Sequence, residues 1–337
     1  MRVAVIGAGI VGAACAWHLA RRGADVVVVD DGGAAASGAS FAWINAAWGN
    51  REDYAHLRMA GMEGWHALAP ALGDAAARRT GSLSWDLPDD ALAEAARVQP
   101  GWGYDVRLVS RAEARAREPL LRDPPPHALL APAEGSVEPE AAAAALLGGI
   151  ERVRGRAVAV ERGVRLDRGH VAADHVVLAC GAGVPALAAT AGVDLPWSAP
   201  SGLIARTRPV AARLSGLVIA PDCHVRQRPD GALLIGSDFG GSDPGADPAA
   251  VAGDLVDRAR RLLAVEAALD GWTVGRRPTP GDGHAVVGPL AEDVSVAFTH
   301  SGVTLAPALG RMVAAWAVDG RLDPVAVPFG AARFAAA

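Results

Sequence analysis

At 337 residues, half of them hydrophobic and with a formal charge of −5, the chain has the length for two domains with a substantial core. It lacks the basic excess expected of a nucleic-acid-binding face. No apolar run approaches the ~20 residues of a membrane span, and Cys15, Cys180 and Cys223 are too few and too far apart for a disulfide framework or a zinc site.

The opening residues Met1–Ile6 run straight into a strand pattern and leave no room for a signal peptide, so the expected location is the cytoplasm. Arg2–Ile6 reads as a short apolar strand, followed by a helix from about Ile10 to Arg22 with Gly23 as its stop. Asp25–Asp30, Asp-Val-Val-Val-Val-Asp, reads as a buried parallel strand and completes a βαβ unit. A loop of small residues follows at Gly32–Ser40, then an amphipathic helix at Glu52–Leu72. Leu83–Pro126 is irregular in composition, and Pro139–Gly148 is an alanine-rich helix. Val171–Gly181 holds a second apolar strand of parallel type. Leu203–Thr207, His224–Arg228 and Ala232–Gly236 look like strands, the last two joined by a turn at Pro229-Asp230-Gly231. Helices are expected at Ala249–Ala268 and Ala306–Val318. Parallel-type segments at the start, middle and end enclose antiparallel-type segments, which predicts two domains built from discontinuous pieces.

Gly7-x-Gly9-x-x-Gly12 lies between the first strand and the first helix, where a dinucleotide fingerprint has to lie. Gly7 permits the turn, Gly9 lets backbone approach a pyrophosphate, and Gly12 lets helix and sheet pack closely. Ile10 and Val11 open the helix, whose N-terminal dipole and N–H groups favour phosphate. Asp30, with Asp31 as the alternative, is placed for the ribose hydroxyls and would repel a 2′-phosphate. The fingerprint alone leaves FAD and NAD both open.

Four further blocks resemble the D-amino acid oxidase superfamily, in particular its glycine oxidase and sarcosine oxidase branches. Ser37-Gly38-Ala39-Ser40 resembles the loop that approaches the flavin, and Ala173–Ala182 resembles the second FAD-contacting strand. Gly275-Arg276-Arg277-Pro278 with Asp282–Pro289 resembles the G-x-R-P…D-G-x-P-x-x-G-P signature, with Ala285 in place of the usual proline. His300–Pro307 resembles the terminal loop at the flavin pyrimidine edge. The blocks occur in family order and span nearly the whole chain.

The resemblance implies a fold of α/β plus α+β type. A Rossmann-like FAD-binding domain (1–82, 127–197 and 276–337) would carry a discontinuous antiparallel-sheet substrate domain (83–126 and 198–275). It implies FAD contacts from Ser37, Ala39, Ser40, Asn45, Val158, Cys180 and Gly181. Backbone N–H groups of Gly302, Val303, Thr304 and Leu305 would face flavin N1 and the C2 carbonyl. Arg277 matches the arginine that clamps a substrate carboxylate, and His300 and His284 fall in flavin-proximal loops; Tyr54, Trp43 and Trp48 are candidates to shape the pocket. The implied reaction is oxidation of the C–N bond of a small amino acid or amine, with oxygen or another molecule as electron acceptor. A non-catalytic FAD-binding scaffold or redox sensor is the alternative. Two departures stand out. Arg277–Thr299 has no cysteine and Gly32–Asn50 no histidine, so FAD is expected to be non-covalent. All 32 lysine-plus-arginine positions are arginine, so the lysine that sarcosine-type oxidases place at the flavin is missing.

Overall fold

The computed structural model describes residues 1–33, 36–237, 239, 241 and 243–335, so two residues of the small-residue loop, 34 and 35, lie outside it. A six-stranded sheet is ordered Val286–Ala291, Val294–Phe298, His175–Leu178, Arg2–Ile6, Asp25–Asp30, Glu151–Arg154. All neighbours are parallel except the first pair. The uninterrupted valines of Asp25–Asp30 follow from this, because a parallel strand covered on both faces has no wet side. The order of connection reverses beside Arg2–Ile6, between it and His175–Leu178. That switch point opens a crevice at the carboxyl ends of both strands.

A second, eight-stranded sheet runs Leu269–Arg276, Ser201–Thr207, Leu233–Gly236, His224–Gln227, Leu217–Ile219, Ser82–Ser84, His127–Ala131, Arg107–Ser110. It is antiparallel except where Leu217–Ile219 meets Ser82–Ser84. His127–Ala131, expected in the nucleotide-binding part, is hydrogen-bonded on both sides within this sheet. A three-stranded antiparallel sheet of Ala157–Val160, Gly163–Leu166 and His170–Ala172 flanks the first layer.

Three elements differ from expectation for identifiable reasons. The irregular stretch 83–126 contains helices Asp89–Val98 and Arg111–Arg117; the first turns only a narrow stripe of Leu92, Ala95 and Ala96 to the core, too small in side-chain size to stand out in the sequence. The helix expected to Ala268 is Pro248–Leu262, because Leu263 turns extended and bridges Leu121. The last helix starts at Gly302, four residues early, and continues through Pro307 to Asp319. Pro307 cannot donate to the Val303 carbonyl one turn back; the Trp65 indole N–H does so instead, at 2.9 Å. Trp65 belongs to helix Glu52–Leu72, which lies so close to the last helix that a Cβ on Gly61 would sit 2.2 Å from the Thr304 carbonyl oxygen. Among the described residues, no helix is long and apolar enough to cross a membrane.

Candidate active site

The first strand ends in Gly7 at φ 109°, a left-handed conformation that glycine accepts without strain. A Cβ on Gly12 would lie 1.9 Å from the Gly7 carbonyl oxygen, so the helix can start this close to the strand only with glycine there. Gly9 is different. A Cβ there would meet only the Ser37 hydroxyl, at 3.3 Å. Backbone is thus open to a ligand in front of the helix. The Ile10 N–H donates to Ser37 Oγ at 3.1 Å, which brings the small-residue loop onto the fingerprint. Asp30 meets the fingerprint through the Ala8 N–H, at 2.8 Å, and also accepts from Gly32 N–H. Asp31 is exposed and turned to Gly33. Val158 is half-buried on Ala157–Val160, which follows Gly155, whose N–H donates to the Asp30 carbonyl. Cys180 and Gly181 follow the other strand of the crevice, with the Cys180 backbone against Gly7. Burial pushes the Cys180 thiol up to about 12, so it stays protonated.

The N-terminus of the last helix comes to the same place, since a Cβ on Gly302 would be 3.1 Å from the Val11 side chain. Two helix N-termini therefore converge, each with N–H groups that lack an intrahelical acceptor. Leu305 is not part of this set: it is buried, and its N–H is already spent on the Ser301 carbonyl. Gly302, Val303 and Thr304 remain as donors of the first turn. The Thr304 hydroxyl is tied to the Trp43 carbonyl at 3.2 Å and accepts from Asn45 N–H.

Beyond the convergence lies a cavity of about 230 Å³, bounded by Ala39–Asn45, Gly275–Pro278 and His300–Thr304. One wall is aromatic, with Phe239 at 5.1 Å from Trp43, 5.6 Å from Trp48 and 5.8 Å from Phe41 between ring centroids. Its indoles are anchored from behind. Trp43 Nε1 donates to Glu134 at 2.7 Å and Trp48 Nε1 to Asp86 at 3.1 Å. Burial pushes Glu134 up to about 7, against the hydrogen bonds from Ser82, Tyr104 and Trp43 that favour its charged form. Ala42, in this wall, has φ 60°, an unusual value for a residue with a side chain.

Among the described residues, the cavity lining carries Arg58, Arg276 and Arg277 and no carboxylate. Arg277 donates to the Phe239 carbonyl, and its guanidinium lies over Gly202, where a Cβ would come within 2.8 Å. Arg276 is exposed at the same rim. Arg58 had no counterpart in the sequence reading. It rises from helix Glu52–Leu72, is 5% exposed, and donates to the Asn45 carbonyl at 3.2 Å, Asn45 Oδ1 at 2.7 Å and the Ser301 hydroxyl. Its hydrogen-bond partners are all neutral. The signal was present: Arg58 sits on the same helical stripe as Tyr54, Gly61, Met62 and Trp65, an otherwise apolar face.

His300 lines the cavity from an exposed position, 3.1 Å from Ser301 Oγ. Loss of bulk water, together with Arg58, Arg277 and His284, pushes it down to about 4, so it is neutral at pH 7. His284 does not line the cavity; it packs edge-on against Tyr54 at 4.7 Å, and Tyr54 is itself buried against Phe329. Among the described residues, no group of three or more His, Cys, Asp or Glu side chains is placed to hold a metal ion.

A model of FAD-dependent oxidoreductases, the DAO family, matches residues 2–316. The chain belongs to that family. It is 28% identical to a glycine oxidase of Pseudomonas putida, with 91% of this chain and 92% of the relative covered. A 4-methylaminobutanoate oxidase (formaldehyde-forming) of Paenarthrobacter nicotinovorans is 26% identical, over 95% of this chain and 44% of its own length. The crystal structure of glycine oxidase from Geobacillus kaustophilus superimposes with a TM-score of 0.85 at 25% identity, covering 99% of this chain and all of that one. The protein is thus an FAD-dependent oxidoreductase with the DAO-type fold. Its residues fit the cofactor: the gap before Gly9, the acid at Asp30 and the paired helix N-termini leave room and donors where phosphates and an electron-rich ring edge need them.

Two results are expected here. Gly9→Leu should give a folded protein without flavin, because the side chain fills the open space before the helix without striking backbone; flavin content after purification, with circular dichroism to confirm folding, checks it. The second concerns pH. His18 and His300 are both held near 4 in the fold, chiefly by burial, against 6.5 for a free histidine. The unfolded chain therefore takes up protons first, and the stability these groups contribute is lost as pH falls from 6.5 to 4. Glu134, pushed up to about 7, acts in the opposite sense between 4.5 and 7. The test is thus a difference: between pH 7 and pH 5 the urea midpoint should fall further in the parent than in a His18→Asn/His300→Asn variant. Equal falls would place these histidines elsewhere.

Proposed function

We propose that this DAO-family oxidoreductase oxidises the C–N bond of a small amino acid or secondary amine to an imine, which water then hydrolyses. The observation that carries the reading is the cavity beside the switch point, lined by arginines and aromatic rings with no carboxylate among the described lining residues, and with the N-terminus of the last helix in its wall, next to that of the first helix. Bound FAD supplies the acceptor for the hydride equivalent leaving the carbon next to nitrogen. The residues supply position and field. Arg277 holds a substrate carboxylate, a role suited to a planar guanidinium fork. Trp43, Trp48 and Phe239 take the apolar part of the substrate and displace water, and their anchoring by Glu134 and Asp86 keeps that wall fixed. His300, with its pKa near 4, accepts a hydrogen bond and is too weak a base to take the substrate's proton. The substrate amine therefore enters neutral. The two curated relatives, named for oxidation of glycine and of a methylated amino acid, support an amino or imino acid substrate.

Anaerobic addition of a panel of amino acids and N-methyl amino acids should bleach the oxidised flavin band with at least one of them. No bleaching across the panel would favour a flavin scaffold or redox sensor. Acid denaturation should release intact FAD into the supernatant, since no cysteine or histidine stands at the attachment positions; flavin in the pellet would contradict that. The missing lysine favours a second reading for the oxidative half-reaction, in which electrons pass to an acceptor other than oxygen.

A further inference from the structure

A second cavity, of about 110 Å³, lies behind the aromatic wall, where strand His224–Gln227 approaches the bridge between Arg78 and Ser136. Four guanidinium groups line it: Arg78, Arg213, Arg226 and Arg228. Among the described residues, two carboxylates make ion pairs with them. Glu138 contacts Arg226 at 2.6 Å and Arg228 at 3.5 Å, and Asp230 contacts Arg228 at 3.5 Å. Four positive charges against two negative leave a local excess of about two. The donors are also underused. Arg228 Nε is buried with no hydrogen-bond partner among the described residues. Among the described residues, the Arg78 guanidinium donates only to the Gln227 carbonyl, at 2.8 Å, and the Arg213 side chain makes no hydrogen bond or ion pair. Like charges gathered around a recess repel one another unless an anion enters, and guanidinium forks match the oxygens of phosphate. At this size the recess takes a single small oxyanion and no ring system, well below the ~300 Å³ at which organic-ligand pockets begin.

We propose that this recess is a binding site for a dianionic tetrahedral oxyanion, inorganic phosphate or the phosphoryl group of a small phosphomonoester, separate from the FAD and substrate sites. It adjoins the active cavity through one residue. Arg226 is 2% exposed, and while its Nη1 faces Glu138 its Nε donates to the carbonyl of Phe41, in the wall of the larger cavity.

The experiment uses flavin-loaded protein, so that the phosphate cradle at Gly9 is filled by the cofactor. Calorimetric titration with inorganic phosphate at pH 8, and with sulfate, should each show one site, with chloride at matched ionic strength showing none. Phosphate should bind less tightly at pH 6, where it is mainly a monoanion, while sulfate stays unchanged. Arg78→Ser/Arg213→Ser removes two exposed side chains, so it should fold and hold flavin normally, and it should weaken phosphate at least tenfold. Glycerol phosphate binding more tightly than phosphate identifies a phosphomonoester as the occupant, and the reverse order identifies the free ion. Equal heats from chloride, equal affinity for malonate, or unchanged affinity in the double variant would overturn the proposal.

Discussion

Arg58→Met is expected to leave FAD bound, to lower the flavin midpoint potential, and to slow reoxidation by oxygen roughly 10–100-fold. The chain has no lysine to set beside the ring. His300, one of the two histidines that the motifs place nearest the flavin, is held neutral by a pKa near 4, and His284 does not line the cavity. Arg58 is the remaining buried cation of the lining, fixed between Asn45 and the Ser301 hydroxyl at the foot of the last helix. A fixed charge 5–8 Å from charge developing on the ring is worth roughly 2–3 kcal/mol at an effective dielectric of 20. For a two-electron couple that is about 40–70 mV. The same field favours the negative charge that forms when oxygen takes an electron. Spectroelectrochemistry, sulfite affinity and stopped-flow reoxidation give independent readouts. Arg58→Lys keeps the charge and should recover most of the potential but not the fork to Asn45. Unchanged potential and sulfite affinity in Arg58→Met would make the arginine a structural tie between helix Glu52–Leu72 and the Asn45 segment.

What was legible in the sequence follows the range of the interactions involved. The fingerprint unit was readable because each of its parts acts locally: a strand of four valines, glycines at the turn, and an acid at the next strand end whose bond to Ala8 spans a single βαβ unit. Strand Leu269–Arg276 was missed. It is a sheet edge paired with Ser201–Thr207, about 70 residues earlier, and Trp272 and Val274 put apolar side chains on its exposed face, so its sequence lacks the usual apolar-in, polar-out alternation. The start of the last helix was misread because Gly302 and Pro307 speak for a loop, and the group that compensates Pro307 is the Trp65 indole, far away in sequence. Asp30, Ser37 and Gly302 come together in the fold, while His284 packs edge-on against Tyr54 and Leu305 enters the core. Phe239 and Glu134 carry no local motif, so their part in the aromatic wall emerges only from the pairing of distant strands and loops.

Arg277→Ala is expected to cut kcat/KM on carboxylate-bearing substrates by about 10²–10³ or more, while FAD content stays near normal. The fold prepares the position. Arg276 and Gly275 pair with Ser201 and Gly202 across the sheet, Gly202 yields the space over which the guanidinium lies, and a Cβ on Gly275 would be 2.6 Å from the Ala39 side chain. Pro278 stiffens the chain just after the arginine. Truncating one member of a buried, hydrogen-bonded ion pair costs roughly 3–5 kcal/mol, because the other charge remains desolvated without its partner, and each ~1.4 kcal/mol of that is tenfold in rate. Most of the loss should appear in KM if the pair forms equally in ground and transition states, and in kcat if the carboxylate anchor sets the angle of the reacting C–H bond. Arg277→Lys should recover only part, since an ammonium cannot reproduce two parallel bonds. Arg276→Ala is the control: its side chain is exposed at the rim, and the loss should stay within a few-fold. An uncharged amine offered to Arg277→Ala should react at least as well as with the parent, because such a substrate has no carboxylate to leave unpaired. Equal losses in the two alanine variants, or full activity of Arg277→Ala on the best amino acid, would make Arg277 a structural partner of the Phe239 loop and turn the search toward uncharged amines.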